Sequence, residues 1–133
     1  ALHTEGDRLM FINCRFLGNQ DTIYTGSEGA RLLFTNCYIE GTTDFIFGPS
    51  TALFEYCELH SKRDSYITAA STPQNIEFGY VFKNCKLTAA PGVSLETISV
   101  PKVGTTGRIQ RMKKQPVMPN LAIRAKAQRL KDV

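Results

Sequence analysis

FINC at Phe11 to Cys14, FTNC at Phe34 to Cys37, FEYC at Phe54 to Cys57 and FKNC at Phe82 to Cys85 are one phrase written four times. Within two residues of each Cys comes another apolar side chain, Phe16, Ile39, Leu59 or Leu87. The unit is therefore a short strand, a polar corner and a second short strand. Cys-to-Cys intervals are 23, 20 and 28 residues, inside the range where internal repeats signal stacked solenoid turns and not a two-layer globular fold.

Phe and Cys stand three apart in each phrase, so a straight strand, with its period of two, would point them to opposite faces. Burying both requires a bend between them. Asn13, Asn36 and Asn84 sit at that bend, and Asn tolerates turn conformations while satisfying local backbone groups. Residues recurring once per coil then stack, Phe on Phe and Cys on Cys, and the pattern predicts an all-β solenoid, a parallel β-helix. The cysteines are expected to form a buried ladder of free thiols, being too widely spaced for CxxC metal pairs. His3 and His60 lack partners at ligand spacing, and His60 is expected at the surface beside a loop.

Stacking has a chemical consequence. Asp21 lies seven residues after Cys14, and Asp44 lies seven after Cys37, so the two carboxylates share a position on consecutive coils, about 4.8 Å apart along a strand ladder. Like charges at that range split their titration and leave one acid and one base. The amide of Gln20 adjoins Asp21, while Phe45, Ile46 and Phe47 flank Asp44 and reduce its solvation, which is how catalytic carboxyls are tuned. A single Asp in a turn is ordinarily a solvated turn former; it is the coil-matched pair that points to chemistry. Asp64 is also seven residues after its Cys, but it sits in HSKRDS beside Lys62 and Arg63 and reads as a solvated loop residue.

QDTIY at Gln20 to Tyr24, YIEGTTDFIFG at Tyr38 to Gly48, SYITAAS at Ser65 to Ser71 and GYVFKNCKL at Gly79 to Leu87 resemble, in that order, the successive signatures of the pectin methylesterase (pectinesterase) family. Several ordered motifs are far more specific than one short pattern. The resemblance implies a right-handed parallel β-helix that hydrolyses methyl esters of polygalacturonate to methanol and free carboxylate, with no metal or organic cofactor. It also implies an exported monomer, secreted, periplasmic or bound to the cell wall, acting on methyl-esterified pectin with no nucleic-acid partner. By the same resemblance Asp44 is the nucleophile, Asp21 the proton donor and later the base, and Gln20 the oxyanion donor. Tyr24 and Phe47 resemble the aromatics that line the family's sugar cleft.

The chain departs from the family pattern twice. A second oxyanion Gln belongs just before the position of Ala1, and the chain, opening without an initiator Met or leader, reads as a fragment. After the FKNCKL coil, the family's Leu-Gly-Arg-Pro signature, whose Arg holds the nucleophile, gives way to GVSLETISVPK from Gly92 to Lys102, where only Leu95 fits. Two alternatives to esterase action therefore stay open. One is a catalytically dead β-helix remnant that binds pectin. The other is a glycoside hydrolase or lyase on the same polymer, because carboxylates about 5 to 5.5 Å apart also suit a retaining glycosidase.

From Gly92 onward the composition changes. That stretch holds nine basic and two acidic residues and no Cys, Phe or Tyr, against seven basic and ten acidic residues before it. Residues 1–93 thus read as the β-helix coils and 94–133 as a divergent basic tail, disordered or partly helical. The tail lacks the aromatic interleaving of a nucleic-acid binder. The preferred reading is a poorly ordered extension or a product of a shifted reading frame. Good helix formers run from Leu121 to Lys131, but a helix that short is marginal alone, and capping the open strand edge of the solenoid is the lesser alternative. No apolar run approaches the roughly 20 residues needed to span a bilayer.

Overall fold

The computed structural model describes residues 1–93 and, as backbone, the strand at 117–122. Its strands come in repeating sets: β1 (Leu2–Thr4), β2 (Leu9–Ile12) and β3 (Arg15–Leu17), then β4 (Ile23–Thr25), β5 (Arg31–Thr35) and β6 (Tyr38–Gly41). The third set is β7 (Ile46–Gly48), β8 (Thr51–Glu55) and β9 (Glu58–Ser61), and the last is β10 (Thr68–Ala70) followed by a long β11 (Tyr80–Ala89). There is no helix among the described residues.

All pairing among these strands is parallel. One sheet runs β1-β4-β7-β10 and a second sheet runs β2-β5-β8-β11-β9-β6-β3. The second sheet folds into two faces that meet in β11, whose Tyr80–Lys83 half pairs with β8 and whose Lys86–Ala89 half pairs with β9. The predicted parallel β-helix is the observed fold.

The bend between Phe and Cys has a defined backbone cause. Asn13, Asn36, Tyr56 and Asn84 all adopt left-handed φ, at 58°, 53°, 55° and 52°. One left-handed residue resets the alternation of the strand, so Phe and Cys on either side of it both turn inward. Phe34, Phe54, Cys37, Cys57 and Cys85 are accordingly buried. Asn adopts this conformation readily, whereas a bulky residue such as Tyr56 is unusual there.

Inside, the phenylalanines stack in register, Phe11 on Phe34 at 4.8 Å, Phe34 on Phe54 at 4.7 Å and Phe54 on Phe82 at 4.8 Å between ring centroids. The stacking distance matches the spacing of strands in a ladder, so the backbone repeat itself sets a favourable ring contact. Beside this column the four cysteines are free thiols, as expected. Cys37, Cys57 and Cys85 each donate from Sγ to the Phe carbonyl of the preceding coil, at 3.4, 3.4 and 3.3 Å. Burial pushes the Cys37 thiol up from its ordinary range, and a thiol held protonated in this way is a structural, unreactive one.

His60 differs from its expected place. It lies half-buried within β9, its Nδ1 is 2.8 Å from Thr88 Oγ1, and its ring stacks on Tyr38 at 6.1 Å. The polar run Glu58 to Ser61 is a strand whose outer face is hydrophilic, which composition alone reads as loop.

β12 (Val117–Ala122) pairs antiparallel with β11, from Val81 opposite Ala122 to Lys86 opposite Val117. Part of the basic tail thus returns and covers the last strand edge. Leu121 and Ala122, the first residues of the expected helix, belong to this strand, and the remainder of 121–131 lies outside the described residues.

Candidate active site

The sheet β1-β4-β7-β10 and the corners that lead into it hold the paired acids. Ile23 pairs with Ile46 and Tyr24 with Phe47. The same offset carried two residues back sets Asp21 level with Asp44. The Asp21 amide donates to Thr43 O at 3.2 Å, and the Asp44 amide donates to Tyr66 O at 2.7 Å, so each corner is bonded to the next coil.

Both aspartates adopt left-handed φ, 57° at Asp21 and 47° at Asp44. Asp is among the few L-residues that enter this region without heavy cost, and such conformations concentrate at functional sites. Their surroundings differ. Asp44 is half-buried, next to the fully buried Phe45 and Ile46, while Asp21 and Gln20 are exposed. Burial first, and then the charge of Asp21, hold the Asp44 carboxyl above the usual carboxylate range. One member of the pair is thereby made harder to ionise by the presence of the other.

Next to the acids runs a row of rings. Tyr24 stacks on Phe47 at 4.7 Å with an interplanar angle of 23°, and both are half-buried. The row has a third member that the sequence reading did not include. His3, paired with Tyr24 across β1 and β4, lies 4.8 Å from it between centroids. Its signal was present, because LHT at Leu2–Thr4 repeats the apolar-ring-Thr pattern of IYT at Ile23–Thr25.

The platform is held from behind. Thr25 accepts at its carbonyl from Ser50 Oγ at 3.1 Å, and its Oγ1 lies 2.6 Å from the Tyr80 hydroxyl. Gly48 follows Phe47 at φ 127°, and a Cβ there would collide with the carbonyl of Thr25. The DFIFG motif ends in Gly because β4 and β7 approach too closely for any side chain.

Asp64 is exposed. Thr68 pairs with Ile46, which sets Tyr66 level with Asp44 and leaves Asp64 two residues short of that rung. No group of three or more His, Cys, Asp or Glu side chains among the described residues is arranged to hold a metal ion.

The pectinesterase family profile matches residues 1–106. Pectinesterase 31 of Arabidopsis thaliana is 51% identical over 89 residues, which is 66% of this chain and 27% of that protein. Probable pectinesterase A of Neosartorya fischeri is 43% identical over 96 residues, 71% of this chain and 29% of that protein. Among solved structures, the pectin methylesterase of Aspergillus niger superposes with a TM-score of 0.63 at 37% identity, over 72% of this chain and 32% of that one. A pectin methylesterase in complex with a hexasaccharide superposes with a TM-score of 0.61 at 38% identity, over 65% and 28% of the two chains. The chain spans less than a third of the length of each of these relatives.

Proposed function

The chain belongs to the pectinesterase family, and from that premise we propose that its coils carry the aspartate pair of an enzyme hydrolysing methyl esters of polygalacturonate. The observation that supports this most directly is the level placement of Asp21 and Asp44 on adjacent coils beside an aromatic row. The two acids divide the chemistry. Asp44, ionised, attacks the ester carbonyl carbon, and the Gln20 amide donates to the oxygen that becomes negative. Asp21, protonated, gives its proton to the departing methoxide, which leaves as methanol. An anhydride now joins Asp44 to the substrate. Asp21 then takes a proton from water, the hydroxide adds to the substrate carbonyl, and the bond to Asp44 Oδ breaks, returning both carboxyls to their starting states.

Physical chemistry supports these assignments. A carboxylate whose proton affinity is raised by burial and a neighbouring charge is the stronger nucleophile once ionised. In this scheme the pair carries one proton, on Asp21 while Asp44 attacks. A neutral amide is a fitting oxyanion donor because it does not compete for that proton, and such a donor is worth about 10² to 10³ in rate. Tyr24 and Phe47 offer flat apolar faces to sugar rings. All of these groups lie in residues 1–93, and we assign none of this chemistry to 94–133. A wall polymer as substrate carries export with it, and the reaction needs neither metal nor organic cofactor.

The test is methanol release from methylated pectin by the wild-type chain and by Asp44→Ala. Methanol from the wild type and none from the variant is expected. Release surviving in Asp44→Ala removes the assigned nucleophile. New reducing ends without methanol would identify a glycoside-cleaving enzyme, and retention of pectin without turnover a binding remnant.

A further inference from the structure

Lys62 lies in the corner after β9, one coil beyond Asp44 and two beyond Asp21. Its side chain turns back along the solenoid. The ammonium Nζ donates to Gly18 O at 3.0 Å and to Asn19 Oδ1 at 2.9 Å, and lies 3.4 Å from Glu40 Oε1. Three coils therefore converge on one cation, and the two residues it grips on the first coil directly precede Gln20 and Asp21.

The surrounding backbone is arranged to receive it. Lys62 N–H donates to Gly41 O at 2.8 Å, and Thr42 N–H donates to Asn19 O at 2.9 Å. Thr22 Oγ1 donates to Glu40 O at 2.8 Å and to Asn19 O at 3.2 Å. Glu40 is kept in place by the Tyr38 hydroxyl at 3.0 Å. Asn19 is thus fastened at its carbonyl by the second coil and at its side chain by the third. Gln20 and Asp21 themselves are exposed, so the height of this corner above the Asp44 coil is set by the residues just before them.

We infer that Lys62 is a positioning residue for the Gln20–Asp21 pair, clamping Gly18 and Asn19 across two coils so that the amide and the acid stand over Asp44. For its catalytic meaning the inference rests on the esterase reading above. The clamp itself is a property of the fold. Lys62 touches no reacting atom in this scheme, and it acts through Asn19. Displacement of a catalytic group by about 1 Å can cost on the order of 10²-fold in rate, which is the scale on which losing the clamp is felt.

The experiment compares the wild-type chain with Lys62→Met, which keeps the aliphatic stem without the charge, and Lys62→Arg, which restores donors. Amide hydrogen exchange at Asp21 and Thr42 reports the corner, and exchange at Phe34 reports the core. In Lys62→Met, exchange at Asp21 and Thr42 is expected to rise about tenfold or more with Phe34 unchanged. Methanol release is expected to lose about 10- to 100-fold in kcat with little change in KM, and Lys62→Arg recovers most of both. Unaltered exchange at Asp21 and Thr42 in Lys62→Met overturns the clamp. A rise that includes Phe34 equally makes Lys62 a general support of the fold and overturns the positioning role, as does faster corner exchange with undiminished kcat. A wild-type chain that releases no methanol removes the esterase reading, while the exchange comparison still decides whether Lys62 holds the corner.

Discussion

The hydroxyl of Tyr80 lies 2.6 Å from Oγ1 of Thr25 in the buried interior, so the last strand of the described coils is bonded to the strand that carries Tyr24. Burial pushes the Tyr80 phenol far above its ordinary range, and the group stays a neutral hydrogen-bonding hydroxyl at every working pH. Tyr80→Phe removes this bond and leaves Thr25 Oγ1 with its longer contact to Phe47 O at 3.4 Å. We expect a loss of about 1 kcal/mol, read as a lower urea midpoint at unchanged slope. An unchanged midpoint would show that the bond contributes nothing net.

Asp44 gives a pH-dependent prediction. Its folded pKa is raised, by burial and then by Asp21, so the fold favours the protonated carboxyl. Relative stability from this group is fully present below the ordinary Asp pKa of about 3.9 and is lost as pH rises through the raised value. Asp44→Asn keeps a neutral side chain that tolerates left-handed φ. It is expected to melt above the wild type at pH 7, with the advantage disappearing on acidification below pH ~3.9, while methanol release is abolished. A variant that melts below the wild type at pH 7 contradicts the sign.

Tyr56 holds the left-handed corner that Asn holds on the other three coils, and it is 57% exposed. Tyr56→Asn relieves a conformational cost at little loss of burial. Stabilisation by about 1 kcal/mol is expected, a rise of roughly 4 to 8 °C in Tm for a domain of this size. Thermal unfolding followed by circular dichroism measures it, and a lowered Tm would mean that the exposed ring contributes more than the corner costs.

Gly48 is a prediction in the opposite direction. Gly48→Ala adds a Cβ against the Thr25 carbonyl at a φ of 127°, so β7 must move away from β4. A loss of about 2 kcal/mol or more is expected, together with weaker retention of oligogalacturonate as Phe47 parts from Tyr24. Wild-type stability combined with wild-type retention would rule out the close approach as the reason for glycine.

Most of the fold was legible because a solenoid turns one-dimensional spacing into register. The Phe-to-Cys phrase located the inward corners, and the seven-residue interval from Cys to Asp set Asp21 and Asp44 level. Spacing failed at Asp64, where two added residues in the corner advance Tyr66 into the matching place, and only the charged context flagged it. What spacing cannot carry is lateral reach. Lys62 contacts residues 43 and 44 positions away through a long flexible side chain, and no periodicity records that. His60 and β12 were missed for another reason, since polar or basic composition on a solvent-facing strand looks like loop or tail.

β12 runs antiparallel to β11, whereas every other strand pairing among the described residues is parallel. The reversed strand occupies the edge of β11 that a further coil would use, and Pro119 within it has no amide to offer. An exposed final edge is the natural seed for one molecule to recruit the next into a fibre. Here the edge of β11 is taken by the molecule's own backbone, and the strand that takes it lacks one donor at Pro119.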